Sequence, residues 1–154
     1  MAACGALGSP EATACGEVVR EGWGAMRSFI AAAGASKKPA NFPADCMPLL
    51  APAQAAMKKA GDAVRRGDWE CHQKTVSEGL QCLSWLVVVP APREVIESYV
   101  GGQDFWANKI RVKYKKTDPK HVAYCDTSAR AASRTDGPGA ATRTPFSAAV
   151  GSRS

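Results

Sequence analysis

The sequence predicts an all-α fold: an antiparallel helix bundle of four to five helices with a disordered C-terminal tail. Three observations predict it. Apolar residues recur every three or four positions through four long segments, the spacing of helices with one buried face. Proline, glycine and capping residues punctuate those segments. Nowhere do apolar and polar residues alternate as a half-buried strand requires.

The first helix runs from Glu11 to Ala33, with Cys15, Val18, Val19, Trp23, Met26, Phe29, Ile30 and Ala33 on one face. Gly16, Gly22 and Gly24 weaken it by about 1 kcal/mol each relative to alanine. Gly34 and Ser36-Lys-Lys-Pro39 end it. A second helix begins between Asp45 and Pro52, where Pro48 and Pro52 are tolerable only near a first turn, and carries Leu49, Leu50, Met57 and Val64. Arg65-Arg66-Gly67 closes it, and Asp68 serves as N-cap for a third helix from Trp69 to about Val89. That helix places Trp69, Val76, Leu80, Leu83 and Val87 on one stripe.

Pro90-Ala-Pro92 stops the third helix and opens the fourth, where Val95, Ile96, Tyr99, Trp106, Ile110 and Tyr114 line up as far as Lys116. Asp118-Pro119 then announces a fifth helix, an acidic cap followed by proline at the first helical position. Val122 and Tyr124 are its candidate core residues. From Cys125 to Ser154 the chain is almost entirely Ala, Ser, Thr, Gly, Arg and Pro, too poor in large apolar side chains to offset its ordering entropy.

Composition excludes several classes. Hydrophobic residues make up 45% of the 154 and charged residues 22%, the balance of a globular domain. The longest large apolar run, Leu86-Val87-Val88-Val89, is far short of the roughly 18 residues needed to span a membrane. The opening Met1-Ala-Ala-Cys4 stretch has no basic or solidly apolar region, which argues against a secretory signal. With no C-x-x-C pair either, the six cysteines read as reduced thiols of a cytoplasmic protein, several of them small core residues.

Catalytic and metal constellations are thin. His72 and His121 fall on different helices, and the adjacent Cys71 and His72 point about 100° apart on a helix, so they do not share a metal easily. His72 reads as a partly buried side chain beside the Trp69 stripe. Asp68 and Glu70, like Glu94 and Glu97, suit first turns of helices better than an acid–base pair. Gly101-Gly102 lacks the context of a phosphate loop. Trp69, Trp85, Tyr99, Trp106 and Tyr114 have the spacing of core aromatics.

Charge is the informative feature. Of a net +6, the segment Lys109–Lys120 alone holds Lys109, Arg111, Lys113, Lys115, Lys116 and Lys120 against the single acid Asp118. These six cations do not share one helical face, so part of the cluster is ordinary solvated surface. The rest calls for an acidic partner, protein or nucleic acid.

Pro90-Ala-Pro92, Phe105-Trp106-x-Asn108-Lys109-Ile110, Tyr114-Lys115 and Asp118-x-Lys120-His121-Val122 resemble, without a gap, a known set of segments. They are the P-x-P, F-[YF]-x-N-[RK]-[IV], Y-K and D-x-K-H-V of the N-terminal helical domain of the cyclase-associated protein family. Leu49-Leu50-Ala51-Pro52 is similar to the family's L-L-x-P, and Trp85 stands where the family has a tryptophan before P-x-P. The resemblance covers Ala12 to Tyr124.

It implies a six-helix-type antiparallel bundle and a regulator of the actin cytoskeleton that acts by contact, with no cofactor and no covalent catalysis. The implied partners are actin and cofilin-bound actin, whose severing and subunit turnover it would promote in the cytoplasm, with adenylyl cyclase a further partner. Nucleotide exchange on actin belongs, by the same resemblance, to other parts of full-length members. Because the pattern departs from the family after Tyr124, the expectation is an incomplete bundle over 11–124 flanked by disordered 1–10 and 125–154, with marginal stability. The alternative from another class is a small basic helical protein that binds nucleic acid through the Lys109–Lys120 patch and the arginine tail.

Overall fold

A computed structural model describes residues 2–87 and 92–133, with the side chains of 4–87 and 93–128. Among the described residues six α-helices make up the bundle: α1 (Ala2–Ala6), α2 (Pro10–Ala35), α3 (Met47–Asp62), α4 (Glu70–Gln81), α5 (Pro92–Tyr114) and α6 (Pro119–Ser133). Among the described residues no strand occurs. α2 packs along α3, α4 along α5 and α5 along α6, while α2 also touches α4 and the short α1 lies against α2 and α6.

Helix ends follow local chemistry. Ser9 caps α2 by accepting the Glu11 N–H at 3.1 Å, with Pro10 at the first helical position. Asp118 caps α6, its Oδ1 accepting the Lys120 N–H at 2.9 Å ahead of Pro119, as the sequence announces. The Arg65 guanidinium folds back on the carbonyls of Asp62 and Val64, closing α3. Gly67, with φ +147°, then turns the chain where a side chain would be strained.

Four expectations give way. Asp68 is not the cap of α4: the helix starts after Trp69, which offers no side-chain cap, and the Asp68 carboxylate accepts from Lys113 Nζ at 3.1 Å instead. The third helix is not α-helical to its end. It tightens into a 3₁₀ turn over Cys82–Val87, whose three-residue repeat sets Leu83 and Leu86 on one buried side. The stretch 1–10 holds a helix and the start of α2. Finally, α6 does not collapse after Tyr124; it continues to Ser133, and Cys125 is fully buried against the Ala107 carbonyl of α5. Val88, Val89, Pro90, Ala91 and the stretch 134–154 lie outside the described residues.

The core gathers Val18, Met26, Phe29, Leu50, Val76, Leu80, Leu83, Leu86, Ile110 and Tyr124. Two residues of the expected stripes are exposed, Ile30 at 39% and Leu49 at 50%, and Val64, Val95, Ile96 and Val122 are only half-buried outside the core. Each of the two exposed residues is one position, about 100°, from a buried neighbour, Ile30 after Phe29 and Leu49 before Leu50. The five expected core aromatics are only partly buried.

Gly22 sits where a side chain would force its neighbours to shift. A Cβ there would stand 2.9 Å from Leu80 Cδ2, 3.2 Å from Leu83 Cδ1 and 3.5 Å from Ala56 Cβ, so three elements close on this one point. Gly22→Ala sets a gain of about 1 kcal/mol in helix propensity against roughly 1–3 kcal/mol of overpacking. The expected result is a lower urea midpoint. Gly24→Ala, two residues on with nothing within 4 Å, is expected to raise it. Equal midpoints for the two variants would disprove the close approach.

Candidate functional site

The cationic segment occupies the last turns of α5, the connecting turn and the first turn of α6. The structure divides it into three groups. Arg111 faces α6 and donates from Nη2 to Asp126 Oδ1 at 3.0 Å, and from Nη1 to Asn108 Oδ1 at 2.9 Å. Lys113 binds Asp68 and lies 5.1 Å from the centre of the Tyr114 ring. These contacts, the Asp68 hydrogen bond first, push the Lys113 ammonium pKa up. Arg111 and Lys113 thus tie α5 to α6 and to the start of α4.

Lys109 has no carboxylate partner among the described residues. Its Nζ sits 4.5 Å from the Phe105 ring centre and 4.2 Å from that of Trp106. Lys74 of α4 adds a second ammonium 4.2 Å over Trp106 while it also pairs with Glu70 at 2.7 Å. Lys115, Lys116 and Lys120 are exposed, and none has an ion-pair partner among the described residues. The six cations therefore split into two that brace helices, one held on aromatic rings, and three free at the α5–α6 corner. Sequence spacing could not make that division because the bracing acids, Asp68 and Asp126, lie on other elements.

A second cluster is buried under the same corner. His72 Nε2 and His121 Nδ1 meet at 2.8 Å across α4 and α6, 49 residues apart in sequence. They are 1% and 8% exposed. Trp69, Tyr114 and Tyr124 surround the pair, with the Tyr114 ring stacked on His121 at 3.8 Å. Burial, with smaller contributions from His121 and Lys113, pushes the His72 imidazole down to about 4, and burial lowers His121 too. Both rings are thus neutral near pH 7.

Their tautomers follow. His72 Nδ1 is buried without a partner, and a bare lone pair is better tolerated there than an orphaned N–H. So His72 Nε2–H donates to His121 Nδ1, and the His121 proton sits on Nε2, 3.9 Å from Asp118 Oδ2. The sequence places these histidines on separate helices without pairing them, and His72 is fully rather than partly buried. Only the hydrophobic neighbours of His72, legible as the Trp69 stripe, hinted at its position.

Among the described residues no group of three or more His, Cys, Asp or Glu side chains is arranged to hold a metal. All six cysteines are free thiols. Burial raises Cys15, Cys82 and Cys125 to about 11, which keeps them as protonated, poorly nucleophilic core groups. No helix described is long and apolar enough to cross a membrane.

The family model of the CAP N-terminal domain matches residues 1–133. Adenylyl cyclase-associated protein 1 of Homo sapiens is 29% identical over 110 residues, 69% of this chain and 22% of that protein. Its counterpart in Macaca fascicularis is 28% identical over 109 residues, with the same coverage of each. The chain thus spans about a fifth of the length of these curated relatives. A crystal structure of the N-terminal domain of CAP, described as indicating variable oligomerisation, superposes with a TM-score of 0.81 at 21% identity, over 93% of this chain and 80% of that one. The N-terminal domain of the adenylyl cyclase-associated protein of Dictyostelium discoideum follows at 0.76 and 21%, over 88% and 80%. At that identity the two structures show the fold.

Proposed function

Because this chain belongs to the CAP N-terminal domain family, whose members are regulators of the actin cytoskeleton, we propose that it binds cofilin-decorated actin filaments and promotes their severing and subunit turnover. It does so by contact, without covalent catalysis. The observation that carries the reading is the free cationic corner: Lys115, Lys116 and Lys120, exposed and without acidic partners among the described residues, at the α5–α6 junction. Such a corner complements an acidic protein surface, steering encounter and fixing orientation. The setting is cytoplasmic and cytoskeletal. Adenylyl cyclase, carried in the relatives' names, is a further proposed partner.

The nucleic-acid reading has less support. Stacking of single-strand bases would need free aromatic faces, and the rings of Trp106 and Phe105 already carry ammonium groups, which leaves that reading to phosphate contacts alone.

Single-filament fluorescence microscopy of cofilin-decorated actin tests the proposal. The chain is expected to raise the severing rate. A Lys115→Glu/Lys116→Glu/Lys120→Glu variant is expected to need about tenfold more protein for the same rate, with a difference that shrinks as salt rises. A severing rate that the wild-type chain leaves unchanged would overturn the reading.

A further inference from the structure

We propose that the outer face of α5 around Lys109 is a receptor for an acidic segment of the partner protein that also carries a large apolar side chain. The proposal rests on the reading of this corner as the partner contact, and adds the chemistry of what is bound.

Exposed large apolar residues are usually scattered singly. Here two of the most exposed, Phe105 at 56% and Val112 at 85%, stand seven residues apart on one helix, and so on one stripe two turns long. Lys109 lies between them, Lys113 continues the stripe, and the core residues Gln103, Ala107 and Ile110 occupy the opposite side. Phe105, Asn108, Lys109, Val112 and Lys113 line a shallow hollow of about 400 Å³.

The polar groups in this hollow all suit an anion. Lys109 lies against two aromatic rings and makes no ion pair among the described residues, its charge offset only at longer range by Glu70, and the rings favour one placement of its ammonium. An ammonium positioned in advance binds a carboxylate with less ordering cost than a free lysine. The Asn108 carbonyl is engaged by Arg111, which leaves its amide N–H₂ as a donor. The nearest acids are already taken, Glu70 by Lys74 and Asp68 by Lys113. A carboxylate on Lys109 and Asn108, with a neighbouring apolar side chain between Phe105 and Val112, satisfies every group. Polyanions without apolar side chains leave Val112 and Phe105 wet.

Two variants at exposed helical positions, expected to fold normally by circular dichroism, test this. Co-sedimentation with cofilin-decorated filaments should weaken about tenfold for Lys109→Gln, which keeps a stem but loses the charge, and for Val112→Asp, which reverses the apolar contact. In parallel, a hexapeptide alternating aspartate and leucine should shift the Trp106 indole N–H resonance of the full chain about tenfold more tightly than hexa-aspartate. Wild-type affinity in both variants overturns the receptor and leaves the cofilin–actin reading standing. Peptide binding without filament binding does the reverse. Equal affinity for hexa-aspartate, preference for a hexanucleotide RNA, or a Trp106 shift that follows chain concentration alone would each overturn the acidic-apolar assignment.

Discussion

Tyr124→Ala is expected to remove about 3–5 kcal/mol of stability, a large share of the roughly 5–15 kcal/mol that holds a typical domain together. Tyr124 is 1% exposed and the largest fully buried side chain described. Its ring packs 5.3 Å from His72, and its hydroxyl donates to the His72 carbonyl at 3.3 Å. Removing it opens a cavity where α6 meets α4. It also leaves the His72 carbonyl with one partner fewer. Tyr124→Phe deletes only the hydroxyl, so its cost should be near 1 kcal/mol. Urea denaturation followed by circular dichroism reads both. A Tyr124→Ala midpoint equal to wild type would mean that α6 lies outside the cooperative unit.

Acid is expected to destabilise the domain well above the range where carboxylates titrate. His72 has a folded-state value of about 4, against about 6.5 for an ordinary histidine. A base whose pKa is depressed by folding is neutral in the folded state and takes up a proton more readily when unfolded. Its contribution is therefore complete above pH 6.5 and is lost as pH falls from about 6.5 toward 4. The shift corresponds to at most about 3 kcal/mol, and His121, lowered in the same direction, titrates with it as a pair. Urea midpoints from pH 7.5 to 4.5 should fall steeply for wild type. His72→Phe, which keeps an aromatic ring among Trp69, Tyr114 and Tyr124, should be less stable at pH 7.5 but flatter between pH 6.5 and 5. An unchanged slope in that variant would assign the acid sensitivity to other groups.

The long helices were legible because periodicity and most caps are local. The Asp118-Pro119 start of α6 needs only a cap and the next two residues, and it appears as expected. Composition misled at the other end of that helix: the Ala-Ser-Arg run after Tyr124 lacks the apolar stripe of a free-standing helix. Cys125 nevertheless packs on Ala107, and small residues are what a close approach to α5 admits. Asp68 was misread for the related reason that a capping residue and an ion-pair partner are the same carboxylate, and Lys113, 45 residues away, claims it.

The cationic site was visible as a run of charge, but not as a surface. Which of its six members are braces and which are free depends on Asp68 and Asp126, brought near only by the crossing of α4 and α6 over α5. The ring contacts of Lys109 are local, to Phe105 and Trp106 three and four residues back on α5, whereas the second ammonium over Trp106, from Lys74, needs α4 beside α5.

The sequence by itself determined that the chain is helical, about where its long helices lie and that its positive charge is concentrated near one junction. Periodicity and capping act over three or four residues, and they survive without knowledge of any partner. Only the tertiary structure decided that His72 meets His121, that Leu80, Leu83 and Ala56 close on Gly22 and that Lys109, Lys115, Lys116 and Lys120 remain available. Those outcomes turn on distances between helices, where a shift of about 1 Å separates a hydrogen bond from no bond and a contact from a clash.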